Sequence, residues 1–338
     1  MESDGKRRPL LLVTGATGAV GPGVVQTLHE AGHRIRVFAL EAPGPGVLPA
    51  DVEVCIGDIN DVCAIRSAME GVEAVVHMAA LLHIVNPPPE ARAAFERINV
   101  DGTARVVEAA VGAGVRRAVL FSTINVYGDS NATILTEDSG PAPKTFYAET
   151  KLAAERIVLN GVSRTGERLG TVLRMGAIYG ARIKGNYRRL VELLARRRFM
   201  PVGDGRNRRT LVYDRDVGWA TAIALEHPAA AGRIYNVTDG QFHTMTEIVT
   251  TICAALGRRP PRLALPLTPV RVMAGLVEDA ARLVGLNSSV GRATLDKYLE
   301  DVAVAGERIQ AELGFRPRFD LTTGWRETIE EMRRAGDL

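Results

Sequence analysis

Two stretches of the chain hold residues that could do chemistry together. In FYAETKLAAERI, Tyr147 precedes Lys151 by four residues at the start of a predicted helix, which puts both side chains on one helical face. A phenol is a poor base at neutral pH, but an ammonium one turn away favours the phenolate and brings its pKa nearer to the working range. Tyr147 is then a proton acceptor and Lys151 its tuner. Taken alone, the pair reads equally well as a surface aromatic followed by a solvated charge. The second stretch, TGATGAVGPGVVQTLHEAG, weighs against that reading. Gly15, Gly18 and Gly21 recur every third residue between an apolar run and an amphipathic helix, with Thr17 inside the turn. Glycines there let the backbone approach a pyrophosphate and aim amide N–H groups and the positive helix end at it.

The elements that must position these residues are legible as well. Short aliphatic runs, LLLVTG, RIRVFAL, VEVCIGD, AVVHMAA, RAVLFST and GTVLRMG, alternate with helical-length segments through the first half. Continuous apolar strands separated by helices indicate a parallel sheet covered on both faces, so the expected fold is doubly wound α/β, of the Rossmann type. After about Gly180 the alternation loosens. Residues 1–180 are expected to form the dinucleotide-binding domain, and 181–338 mainly a smaller, interleaved C-terminal substrate domain. TLVYDRDV and RIYNV return to the sheet region near 210–240. The segment Leu263 to Leu286 carries Arg271, Glu278, Asp279 and Arg282, and reads as an amphipathic helix rather than a membrane span.

The cofactor's ribose is expected near the end of the second strand. Ala39 stands there, Glu41 is the nearest carboxylate and no cation follows closely, which favours NAD over NADP. Asp58, in GDIND at the end of the third strand, is placed to accept from an adenine amino group.

Composition narrows the class. The 338 residues carry a formal charge of +3, and no long basic block has interleaved aromatics, so nucleic acid is not an expected partner. Cys55, Cys63 and Cys253 are odd in number and form no CxxC pair, which suggests neither a disulfide framework nor a zinc site, and makes a reducing, cytoplasmic setting the default. The apolar run Leu10 to Val13 is too short for the core of a signal peptide.

The pieces TGATGAVG, GDIND, HMAA, NVDGT, FSTINVYG, YAETK, LRMGAIYG, PVGDG and LVYDRDV occur in this order over nearly the whole chain. The chain thereby resembles the extended short-chain dehydrogenase/reductases of the sugar-nucleotide epimerase/dehydratase family, above all the bacterial enzymes of surface-polysaccharide sugars. The resemblance implies that Lys151 also holds a nicotinamide ribose and that Thr123 hydrogen-bonds the reacting hydroxyl. It adds Ile59 and Ala79 to the cofactor contacts, with Asn99 positioning the catalytic helix through a water or else capping a helix. Asn125, Asn186 and Arg209 fall at substrate positions, Arg209 where relatives bind a diphosphate. His77 and His83 read as packing or surface histidines, and Arg196 to Arg198 as a solvated face.

The reaction follows from Ile124 and Asn125. Dehydratases of this type carry an Asp and Glu pair there, so both dehydration and decarboxylation are disfavoured. What remains is redox chemistry at one carbinol. The expected activity is an NAD-dependent nucleotide-sugar 4-epimerase, acting on a UDP-linked sugar as a homodimer. A 4-ketoreductase or hydroxysteroid-type dehydrogenase is the alternative, and a catalytically silent nucleotide-binding protein a further one. Ala177 departs from the family, replacing an Asn that contacts the nucleotide diphosphate in many epimerases.

Overall fold

The apolar runs form strands because both of their faces are covered. In the computed structural model, which describes residues 9–82, 88, 90–130, 133–283 and 292–338, seven parallel strands make one sheet. They are β1 (Leu10–Thr14), β2 (Arg34–Ala39), β3 (Glu53–Ile56), β4 (Ala74–His77), β5 (Arg117–Thr123), β6 (Gly170–Met175) and β10 (Ile234–Val237), in the order β10-β6-β5-β4-β1-β2-β3. Two small pairs lie outside it: β7 (Ala177–Tyr179) runs parallel to β9 (Leu211–Tyr213), and β8 (Arg208–Arg209) antiparallel to β11 (His243–Thr244). Of the two returning segments, RIYNV thus joins the main sheet, whereas TLVY pairs instead with the short strand that directly follows β6.

Helices α1 (Gly21–Glu30), α2 (Val62–Ala68), α3 (Ala91–Phe95), α4 (Gly102–Ala113), α5 (Phe146–Asn160), α6 (Asn186–Ala195), α7 (Asp214–Glu226), α8 (Met245–Ala255), α9 (Leu267–Leu283), α10 (Arg292–Leu299), α11 (Glu307–Leu313) and α12 (Leu321–Arg334) complete the fold. Alternate residues of β1 serve two cores. Leu11 and Val13 join α1 and α7 residues such as Val24, Val25, Leu28 and Val217, while Leu10 and Leu12 join Ile65, Val106, Ala154 and Val158 of α2, α4 and α5. This two-sided burial is the reason the strand lacks polar alternation. A third core gathers α6, α8 and α12 around Tyr179, Tyr213 and Trp325, the indole stacked on Tyr179 with centroids 4.5 Å apart. Among the described residues no helix is long and apolar enough to cross a membrane.

Helix α5, which carries Tyr147 and Lys151, is fixed at both ends. Thr145 caps it, its hydroxyl oxygen accepting from the Ala148 amide at 3.2 Å. Further along, Glu155 is fully buried and takes a bidentate Arg174 guanidinium from β6, at 2.9 and 2.6 Å, together with the Ser122 hydroxyl from β5. Arg174 also lies over the Tyr127 ring, 4.6 Å from its centroid. Removing one partner strands the other charge away from water. Arg174→Met is therefore expected to lower the unfolding free energy by about 3 to 5 kcal/mol, and Glu155→Met/Arg174→Met by less than the sum of the single changes. Urea unfolding of the three variants measures both.

Candidate active site

The glycine turn is built for close approach. Gly15 has φ +75°, and a Cβ there would sit 2.5 Å from the Ala79 amide nitrogen; one on Gly21 would sit 2.2 Å from the Ala16 carbonyl oxygen. The backbone winds through Gly18 N–H to Gly15 C=O at 3.1 Å and Gly21 N–H to Gly18 C=O at 3.2 Å, leaving Thr17 and Gly18 exposed at the tip. Helix α1 begins there with no side-chain cap and no acidic residue in its first turn. Its positive end fits a pyrophosphate.

At the far edge, β2 ends at Ala39 with Leu40 and Glu41 exposed. The arginines of β2 are engaged: Arg36 donates to Glu53 and to the Ala68 and Glu70 carbonyls, and Arg34 also donates to Glu53. Neither guanidinium is left to meet a 2′-phosphate, and Glu41 would repel one. Asp58 is exposed and Ile59 buried. Hydrogen bonds from the Asn60 amide and side chain hold the Asp58 carboxyl below its usual range, so it is ionised and an acceptor at neutral pH.

A buried polar chain links this turn to α5. Thr14 at the end of β1 accepts from the Ala79 amide at 3.3 Å and donates to His77 Nδ1 at 2.7 Å. His77 Nε2–H then donates to Thr103 at 3.0 Å, and the Thr103 hydroxyl donates to the Asn99 carbonyl at 2.6 Å. This order of donors assigns the His77 tautomer. Burial, with the Lys151 charge adding to it, pushes His77 down to about 3. It is a neutral bridge rather than an acid. Asn99 accepts from the Leu81 amide at 2.7 Å and donates to the Leu81 carbonyl and to Thr150 of α5, both at 3.1 Å. Asn99 lies inside a π-helical turn, Glu96–Asp101, so it does not cap a helix, and its bond to Thr150 braces α5. His83 lies outside the described residues.

Thr123 ends β5, 9% exposed, with its oxygen accepting from the Asn125 amide at 3.2 Å, so its hydroxyl hydrogen can donate to a substrate oxygen. Tyr147 is half-buried as a residue, and desolvation pushes its phenol up to about 12. Lys151 is fully buried, and loss of water brings it down to about 8 against the opposing pull of Glu155. Burial thus opposes ionisation of the Tyr147 phenol in the cofactor-free protein.

The substrate positions are more dispersed. Asn125 is partly buried in the turn Ile124–Tyr127, while Asn186 is exposed as the first residue of α6. The Arg209 guanidinium points to the end of α10, donating to the Lys297 carbonyl, to the Tyr298 carbonyl at 2.9 Å and to Glu300 at 3.4 Å. Sequence reasoning missed Glu155, Arg174, Ser122 and the chain from Thr14 to Thr103. Two signals were present: Glu155 follows Lys151 by one helical turn, and Arg174 interrupts an otherwise apolar strand.

Comparison with known proteins agrees with this geometry. The sequence pattern described as the NAD dependent epimerase/dehydratase family matches residues 11–238. The UDP-glucose 4-epimerase of Vibrio cholerae is 25% identical over 342 residues, 99% of this chain and 98% of that one. A 3 beta-hydroxysteroid dehydrogenase/Delta 5-->4-isomerase of Mycobacterium tuberculosis is 30% identical over 332 residues, 91% of this chain and 86% of that one. The solved structure of MoeE5 in complex with UDP-glucose and NAD superposes with a TM-score of 0.76 at 26% identity, covering 96% of this chain and 99% of that one.

The buried lysine has a measurable consequence. The folded state holds Lys151 near 8 and the unfolded chain near 10.5, so the unfolded chain binds the extra proton between those values. The penalty for burying the charge is complete below about pH 8 and fades as pH rises to about 10.5. Lys151→Met should thus be more stable than the cofactor-free wild type at pH 7, by about 3 kcal/mol, with the advantage shrinking across that window. Chemical unfolding of both proteins as a function of pH checks it; a constant difference would contradict the buried charge.

Proposed function

We propose, on the premise that this chain belongs to the NAD dependent epimerase/dehydratase family, that it is a nucleotide-sugar 4-epimerase working through a transient 4-keto sugar. One observation carries the reading. Thr123 on β5 and Lys151 on α5 are buried and Tyr147 on α5 is half-buried, which suits them to proton handling, while Ile124 and Asn125 supply neither of the carboxylates that dehydration requires.

NAD, held by the glycine turn and the amino end of α1, supplies the hydride acceptor and, when oxidised, a positive charge. The chain's own residues handle the proton. Thr123 donates to the C4 oxygen and orients it, Tyr147 takes the hydroxyl proton, and Lys151 stabilises the phenolate while contacting the nicotinamide ribose. Epimerisation would be complete once the hydride held by the cofactor returned to the other face of the turned-over keto sugar and Tyr147 gave its proton back to the C4 oxygen. The substrate class is UDP-linked by likeness to the Vibrio epimerase and to MoeE5, with Asn125, Asn186 and Arg209 on its nucleotide side.

Two features favour a second reading, a dehydrogenase of a neutral alcohol of the hydroxysteroid type. Arg209 is engaged with Glu300 and two carbonyls, and Ala177 offers no side-chain amide to a diphosphate.

Proton NMR of UDP-glucose incubated with the protein should show UDP-galactose forming without net accumulation of reduced cofactor. Tyr147→Phe should lower the rate at least about 100-fold, with dinucleotide affinity by calorimetry unchanged. UDP alone should raise the wild-type melting temperature and raise that of Arg209→Ala less, since a charge-assisted contact is worth about 1.5 to 3 kcal/mol. Absence of UDP protection at millimolar concentration would exclude the epimerase and leave the neutral-alcohol dehydrogenase.

A further inference from the structure

We propose that the surface strip from Arg258 to Met273, together with the neighbouring Arg196–Met200 segment, docks the protein on an anionic membrane surface. From Arg258 to Val277 the sequence holds four arginines, Arg258, Arg259, Arg262 and Arg271, and no carboxylate. Large apolar side chains stand in water between them: Leu263 is 78% exposed, and Val272 and Met273 are each 59% exposed. Leu263, Leu265 and Leu267 occupy alternate positions ahead of and into α9, and all three are exposed. On α9 itself Ala274 is buried and Val270 partly so, while Val272 and Met273 face outward.

The second segment lies beside the first. Leu265 pairs with Val202 in a parallel bridge, its amide donating to the Pro201 carbonyl at 2.8 Å. Exposed Met200 is thereby next to the leucine row. Arg196 and Arg258 line one cavity of about 300 Å³ along with Arg333, and Arg197 and Arg198 are exposed beside it. Carboxylates do approach the strip: Glu192 and Asp337 line the same cavity, and Asp296 pairs with Arg271 at 2.8 Å. Arg196 to Arg198, Arg259 and Arg262 form no ion pair among the described residues, so the strip keeps a cationic excess.

Charge selects the occupant. Apolar side chains framed by unpaired arginines fit the boundary between anionic headgroups and acyl chains, where the side chains leave water and the cations meet phosphates. A second copy related by a twofold axis would bring the same arginines face to face. A neutral apolar ligand leaves the arginines without a role. No span is needed, and the glycine turn and α5 are separate elements, so docking is independent of which sugar or alcohol is turned over.

The test is co-sedimentation of the full chain with vesicles of phosphatidylcholine alone and of phosphatidylcholine mixed with phosphatidylglycerol. Binding is expected only to the mixed vesicles, and should be lost in about 1 M salt, where the screening length falls to about 3 Å. Arg259→Ser/Arg262→Ser and Leu263→Ser/Met273→Ser should each weaken it by about tenfold or more, with unchanged NAD affinity and melting temperature showing that both variants fold. No binding to the mixed vesicles would overturn the proposal, as would equal binding to both vesicle types or unaltered binding by the two variants. A Leu263→Ser/Met273→Ser protein that loses a self-association step seen in the wild type by analytical ultracentrifugation, yet binds vesicles normally, would overturn it in favour of a second copy.

Discussion

The constraint on which the rest depends is the burial of a charge at Lys151. An ammonium out of water is tolerated only beside a compensating anion, and Glu155, one turn further along α5, is that anion. Glu155 is in turn too deeply buried to stand alone, so Arg174 and Ser122 converge on it from β6 and β5. Helix α5 is thereby fixed against β5 and β6. A helix held only by apolar packing could slide by a fraction of a turn. One tied to a bidentate ion pair cannot do so without stranding two charges.

The same helix is tied on its other side to the cofactor turn. Thr14, His77, Thr103 and Asn99 form a continuous line of hydrogen bonds from the end of β1 to Thr150. The end of β1, where the glycine turn begins, and the helix that carries Tyr147 therefore belong to one polar framework. His77 suits this role because burial keeps it neutral, so its two nitrogens act as one donor and one acceptor over the working pH range. A reaction that needs a hydride and a proton to leave neighbouring atoms gains from such coupling, since small misplacements carry a large penalty in rate.

Much of this was legible in the sequence, and the reasons for the rest are physical. The six apolar runs and the glycine spacing are local signals, because two-sided burial and a tight turn leave a mark in the residues themselves. The pairing of Leu211–Tyr213 with Ala177–Tyr179 left no such mark: three-residue strands have no periodicity of their own and form only once β6 places their partner. Glu155 carries no local mark of its burial, since that depends on an arginine nineteen residues away. The i+4 lysine is visible in the sequence, whereas the desolvation that pushes the Tyr147 phenol up belongs to the folded site. Arg209 stood at the expected position, but the partners on which its guanidinium settles come from Lys297 to Glu300, far along the chain.

The account centres on a phenol that is protonated without cofactor and becomes a base only beside the positive charge of oxidised NAD. Ionisation of Tyr147, which Lys151 and the positive charge of oxidised NAD together favour, tests this most directly, read as the ultraviolet tyrosinate signal of the wild type minus that of Tyr147→Phe, with and without NAD. The account predicts a midpoint near pH 12 in the cofactor-free protein, shifted well down towards neutrality when NAD is bound. A midpoint at or below the ordinary value of 10 without cofactor, or one that NAD leaves unmoved, would contradict it.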